Sequence, residues 1–302
     1  MSAATPPSTP PSGRPSSGSD PGAVARAELR AGMAFLDAPK PPTGAPVTSD
    51  LSIDETLLLH SIGWVPVDLV NGVSVYAVPA GVWVWSQGEI AWATEAHQRA
   101  VAAAVARLRR ECEHVGGSGV VGVEVTIEVH PHHVDVEVVG TAVRPAVSTD
   151  AGRAKHRGPL PEVFVSDLSA RDFVLLHASG WAPLGLAFGT SFVNVPRRSA
   201  STALQQRTQN VELANFTNAL YSAREAAMAR MQETALHVGA SGVVAVHVSE
   251  GPLAFAHHVV QFSAWGTAVT LVADQHQRIS PELVLSLDDR VVTFDARSLR
   301  RR

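Results

Sequence analysis

Thirteen histidines and a single cysteine set the range of side-chain chemistry open to this 302-residue chain. Five of the imidazoles fall in two short runs, His130, His132 and His133 around Pro131, and His257 with His258 further on. A neutral imidazole offers a nitrogen that suits Zn²⁺, Cu²⁺ or Ni²⁺. If a strand continued through Pro131, His130 and His132 would project to one face and reach one ion together. These five residues are the candidate metal ligands, and the ion expected is a divalent transition metal. The other reading of the same runs is exposed turn residues that titrate freely, since no carboxylate sits at ligand spacing in both runs to orient the rings. Soft heavy metals prefer two or more thiolates at short spacing. Cys112 alone meets that need only if several chains bring it together about a symmetry axis.

Catalytic constellations are missing from the sequence pattern. No glycine-rich phosphate loop follows a strand, no nucleophile elbow is present, and no acidic pair recurs as acid and base. The expectation is therefore a protein that is not an enzyme, with no catalytic and no cofactor-binding residues. Asp50 and Asp167 recur in matched Ser-Asp-Leu-Ser segments, where capping of a helix N-terminus accounts for them. His60, His177, His114 and His237 each precede a glycine near a helix end, a place for an imidazole to bond the last carbonyls. Trp64 and Trp181 share a Gly-Trp-x-Pro context and read as buried anchors.

These recurrences belong to a duplication. Ser49–Pro79 aligns with Ser166–Pro196 at an offset of 117, without a gap, and 15 of the 31 aligned residues are identical. The offset grows to 123 between His114-Val115-Gly116 and His237-Val238-Gly239, and to 126 between Gly140-Thr141-Ala142-Val143 and Gly266-Thr267-Ala268-Val269. Insertions cost least in connecting loops, so the length changes belong there. The boundaries that follow are a disordered segment with a short helix in residues 1–46, a first domain at 47–144, and a linker at 145–161. A second domain follows at 162–273, then a C-terminal strand and basic tail at 274–302.

The elements of the two copies follow from periodicity. Ser52 with Glu55 forms a capping-box pattern before a short helix, and Ser169 with Asp172 repeats the start. Strands are expected at Val73–Val78, Val82–Trp85 and Ser191–Val195, and later at Gly119–His130, Val134–Val143, Gly242–Ser249 and His258–Val272. Between them lie two long helices. Trp92–Val115 is rich in alanine, with Arg99, Arg107, Arg109 and Arg110 expected on its surface. Leu213–Val238 carries one apolar stripe through Phe216, Leu220, Ala223, Ala227, Met231 and Ala235, with Arg230 spaced to pair with Glu233. The fold class is α+β, two tandem domains in which a long helix lies on an antiparallel sheet.

The second copy, with its ALYSAREAAMARMQETALHVGASGVVAV helix and strand and its Trp265–Val269 WGTAV ending, resembles the YbjQ family of heavy-metal-binding domains. The first copy keeps only the turn and the ending and is degenerate. The resemblance implies a β-α-β-β unit, metal binding, and assembly of such domains into five-fold rings. Five is odd, so chains of two copies cannot alternate round a five-domain ring, and divergence of the long helices favours like beside like. The expected homo-oligomer has five or ten chains, with five chains building two segregated rings, one from each copy; the alternative is a ring number different from five. A structural scaffold that binds no metal, recruiting a protein partner through residues 1–46, is the alternative.

Composition narrows the rest. A net charge of −4 gives no general pull toward nucleic acid, and Arg297 with Arg300, Arg301 and Arg302 reads as a solubilising tail. No uninterrupted apolar run is long enough to span a bilayer, and no signal pattern is visible, so the expectation is a soluble cytoplasmic homo-oligomer without nucleic-acid or membrane partners.

Overall fold

The computed structural model describes residues 46–79, 81–85, 88–146, 161, 163–199, 204, 210–274 and 276. The expectations for residues 1–45, for most of the linker, and for the C-terminal strand and basic tail beyond residue 276 lie outside the described residues. The first copy contains α1 (Ile53–Ser61), β1 (Trp64–Ala77), α2 (Val82–Trp85), β2 (Gly88–Glu89), α3 (Ala91–His114), β3 (Gly119–Val129) and β4 (His133–Pro145). The second contains β5 (Phe164–Val165), α4 (Ala170–Ala178), β6 (Trp181–Asn194), α5 (Ala214–His237), β7 (Gly242–Leu253) and β8 (Ala256–Leu271). The α+β class and the long helix on a mostly antiparallel sheet are both present.

Local chemistry explains the starts and stops. The Ser52 hydroxyl accepts from the Glu55 amide at 3.2 Å while the Glu55 carboxylate accepts from the Ser52 amide at 3.0 Å, a complete capping box. Ser169 accepts from the Asp172 amide at 3.1 Å and opens α4 in the same way. The serines are thus the caps, and the expected capping role of Asp50 and Asp167 is corrected. Their carboxylates instead accept from the hydroxyls of Thr141 and Thr267, the threonines of the two Gly-Thr-Ala-Val endings. The expected strand at Val82–Trp85 is also corrected, being one turn of helix. Trp83 decides this: its indole donates to the Pro131 carbonyl at 2.8 Å and its ring packs edge-on against Phe192 and Phe255, which overrides β propensity.

Two four-stranded sheets form, in the orders β1-β4-β3-β5 and β2-β6-β8-β7. Each includes a strand supplied by the other copy. The second copy's β5 runs parallel to β3, and the first copy's β2 runs antiparallel to β6. Within each copy the long helix crosses its own sheet at a glycine. A Cβ on Gly72 would lie 2.1 Å from the Ala104 carbonyl oxygen of α3, and one on Gly189 would lie 2.0 Å from that of Ala227 in α5. Only a residue without a side chain permits so close an approach.

The alanine-rich α3 has two packed sides. Ala100, Ala104, Leu108 and Cys112 belong to the core beneath β1, while His97 lies 5.4 Å from Phe188 and 5.5 Å from Phe192 of β6. Arg109 reaches the same strand beside Gly185, and burial lowers its pKa. Its expected surface position is corrected. On its other face β6 meets Ala223, Ala227 and Met231 of α5, so the strand is buried without a break from Pro183 to Val193. The layers run first sheet, α3, second sheet, α5. Unlike copies therefore lie side by side within one chain. Small side chains on one side of α3 and larger ones on the other let a single helix cover two sheets.

Candidate functional site

The β3–β4 hairpin determines which histidines meet. His130 donates its amide to the His133 carbonyl at 2.9 Å, and the chain reverses at Pro131 and His132. The cross-strand neighbour of His130 is therefore His133, not His132, and the two rings stack with centroids 4.5 Å apart. Strand register places Glu128 opposite Asp135 just beyond them. His130 Nε2 lies 3.4 Å from Glu128 Oε2 and 3.8 Å from Asp135 Oδ2, and His133 Nε2 lies 3.6 Å from Asp135 Oδ1.

This group can hold an ion. One ligand atom each from His130, His133 and Asp135 lies within 4.8 Å of the others. A tetrahedral Zn²⁺ with bonds of about 2.0–2.1 Å spaces its ligand atoms about 3.3 Å apart, so closure from separations of up to 4.8 Å needs side-chain movements of up to about 1.5 Å. Asp135 Oδ1 is buried and has no hydrogen-bond partner among the described residues, an acceptor that a cation would satisfy. Two imidazoles and a carboxylate suit Zn²⁺, Ni²⁺ or Cu²⁺ rather than a soft heavy metal.

The other candidates stand apart. His132 is exposed at the turn, and His257 is exposed on β8. His258 Nε2 lies 2.8 Å from the Trp83 carbonyl oxygen, to which its Nε2–H tautomer donates. Cys112 is fully buried, its thiol 3.4 Å from the Gly119 carbonyl, and burial pushes its pKa up to about 12. A thiolate site built by several chains is thereby removed. Of the helix-end histidines, His237 follows the expectation, with Nδ1 2.7 Å from the Glu233 carbonyl oxygen. His177 instead packs its ring toward Trp64 and Phe173, and burial lowers its pKa. Sequence reasoning missed Glu128 and Asp135, although a tight hairpin at Pro131 would have paired them.

A second constellation joins the copies. Arg230 of α5 grips Glu89 of β2 bidentately, at 2.7 and 3.0 Å, rather than pairing with Glu233 as its spacing suggested. The same guanidinium donates to the Thr190 carbonyl at 3.0 Å, capping the edge of β6. Ser191 and Thr94 donate to Glu89 at 2.8 and 3.3 Å. Burial pushes the Glu89 pKa upward, but the Arg230 and hydroxyl hydrogen bonds together with the Arg230 charge outweigh it and hold the carboxyl below its usual range.

No helix among the described residues is long and apolar enough to cross a membrane. Residues 197–272, most of the second copy, match the YbjQ family, described as "putative heavy-metal-binding". The chain is also similar to the encapsulin nanocompartment protein Rv1762c of Mycobacterium tuberculosis, 38% identical over 247 residues that cover 80% of this chain and 92% of the relative. Neither description names a reaction. No solved structure matches the chain. An alignment of that length and identity spans both copies, so the chain belongs to the family of Rv1762c, a tandem family whose second copy here is of the YbjQ type.

Proposed function

We propose that the chain is a non-catalytic structural subunit that closes with copies of itself into a ring, and that it carries a divalent transition-metal ion at His130, His133 and Asp135. One observation carries the self-assembly. Leu186, Phe188 and Phe192 on the outer face of the second sheet lie under α3, whereas their aligned partners Leu69, Asn71 and Val75 on the first sheet are exposed, Val75 by 64%. A face that is covered in one copy and bare in the other is complementary to a further helix of the same kind. Alternating copies give an even number of domains, so five chains would make one ring of ten. The relative is named an encapsulin nanocompartment protein, which supports reading this assembly as a component of such a compartment, with residues 1–46 as the segment proposed to engage a protein partner.

The metal reading stands on the orphaned Asp135 Oδ1 beside His133, with Oδ2 of the same carboxylate facing His130. Native mass spectrometry before and after chelation reads both parts at once. The expected result is a closed oligomer of five or ten chains with a mass excess that chelation removes. Replacing His130 and His133 together by alanine is expected to abolish the excess, and His132→Ala to leave it. A monomer at working concentration would contradict the assembly. Loss of the ion in His132→Ala but not in the double variant would contradict the site.

A further inference from the structure

The latch between Glu89 and Arg230 has a second, unmade copy. The offset of 123 that relates α3 to α5 carries Glu89 onto Glu212, Thr94 onto Thr217 and Arg107 onto Arg230. Half of the latch is already assembled at each end of the chain. Thr217 donates to Glu212 at 2.8 Å, as Thr94 does to Glu89. Arg107 donates to the Val73 carbonyl at the edge of β1, as Arg230 does to Thr190 at the edge of β6. What Arg107 lacks is the carboxylate, and its buried Nε has no partner among the described residues.

The backbone repeats the pattern. Gly88 and Glu89 pair with Asn194 and Val193, and the Ile90 amide then donates to Phe192 at 2.7 Å. The same shifts place Val211 and Glu212 opposite Ala77 and Tyr76, and Leu213 beside Val75. Ile90 is 1% exposed, whereas Leu213, its counterpart, is 39% exposed. Charge agrees as well. The outward face of the first sheet carries Glu124, Glu128, Asp135 and Glu137, and α5 presents Arg224 where α3 has Val101.

We infer that a second copy of this chain docks here in a fixed register: Val211–Leu213 of one chain extends the β1 edge of the next, Glu212 grips the neighbour's Arg107, and α5 covers the neighbour's exposed sheet. The contact is a β-strand addition locked by a bidentate ion pair. It rests on the self-assembly reading and specifies the surface that such assembly uses.

A cysteine pair tests the register. Glu212→Cys with Tyr76→Cys is expected to oxidise into a ladder of covalently linked chains, while each single variant stays unlinked and the buried Cys112 stays inert. Glu212→Arg, a change at an exposed residue, is expected to raise the dissociation constant of the assembly about tenfold or more. Absence of the ladder together with an unaltered assembly in Glu212→Arg would overturn this surface while self-assembly stood. A monomeric wild-type chain would overturn the self-assembly reading itself.

Discussion

His97 is fully buried between Phe188 and Phe192, and neither ring nitrogen has a hydrogen-bond partner among the described residues. Burial disfavours the imidazolium and lowers the pKa to about 3. The consequence for stability has a definite sign. Above pH 6.5 the ring is neutral in both folded and unfolded chains and contributes no pH dependence. Below that, the unfolded chain takes up a proton that the folded chain refuses, so stability falls as pH drops from about 6.5 toward about 3. At about 1.4 kcal/mol per pH unit, the loss between pH 6.5 and 4 comes to about 3 kcal/mol. The second copy carries Leu220 at this place. His97→Leu is expected to be the more stable protein at pH 7, because no polar group is left without a partner, and to lose that part of the acid slope. Denaturant unfolding at pH 7 and pH 4 reads both, and parallel slopes in the two proteins would exclude the assignment. Nothing in the sequence singled out His97 from twelve other histidines, because its burial depends on a strand of the other copy.

At the scale of elements, each long helix is seated by a glycine in the strand below it, and the two seats are superposable by the offsets of the repeat. In Gly72→Ala the new methyl would press on the Ala104 carbonyl, backbone that cannot swing aside, and the expected cost is about 1–3 kcal/mol. Gly242→Ala, with nothing within 4 Å of the added Cβ, is the control and is expected to change the unfolding midpoint little. Equal midpoints for the two variants would show that the helix does not rest on β1. Much of this level was legible in the sequence, since period and capping gave α3, α5 and the caps at Ser52 and Ser169. What escaped was tertiary. Trp83 converts an apolar run into a helical turn by reaching Pro131, and Arg230 passes over a neighbour on its own helix for Glu89, 141 residues away. Spacing along one element cannot reveal a partner brought by another. The histidine pairing differs for a related reason: extending the strand through Pro131 predicted His130 beside His132, whereas the reversal there sets His133 and Asp135 beside His130.

For the whole molecule, the duplication acts as its own template, because each contact between the first and second copies specifies one that the second copy should make with the next chain. The short helices supply a test far from the Glu212 latch. In α4, Ala170 is fully buried and Val174 packs with it against a cluster that includes Leu59 and Trp64 of the first copy. The corresponding residues of α1, Ile53 and Leu57, are 81% and 62% exposed. The repeat offset carries Leu59 and Trp64 onto Leu176 and Trp181, which in the proposed ring would offer the matching seat from the preceding chain. Ile53→Asp therefore changes a residue that the isolated chain leaves in water, and its unfolding midpoint as a single chain is expected to move by less than about 0.5 kcal/mol. Its assembly is expected to weaken strongly, since a carboxylate would be buried in an apolar seam without a partner. Sedimentation of the variant beside a thermal melt separates the two effects. An intact oligomer would mean that α1 faces solvent in the assembly, and that the contact between chains does not repeat the contact within one.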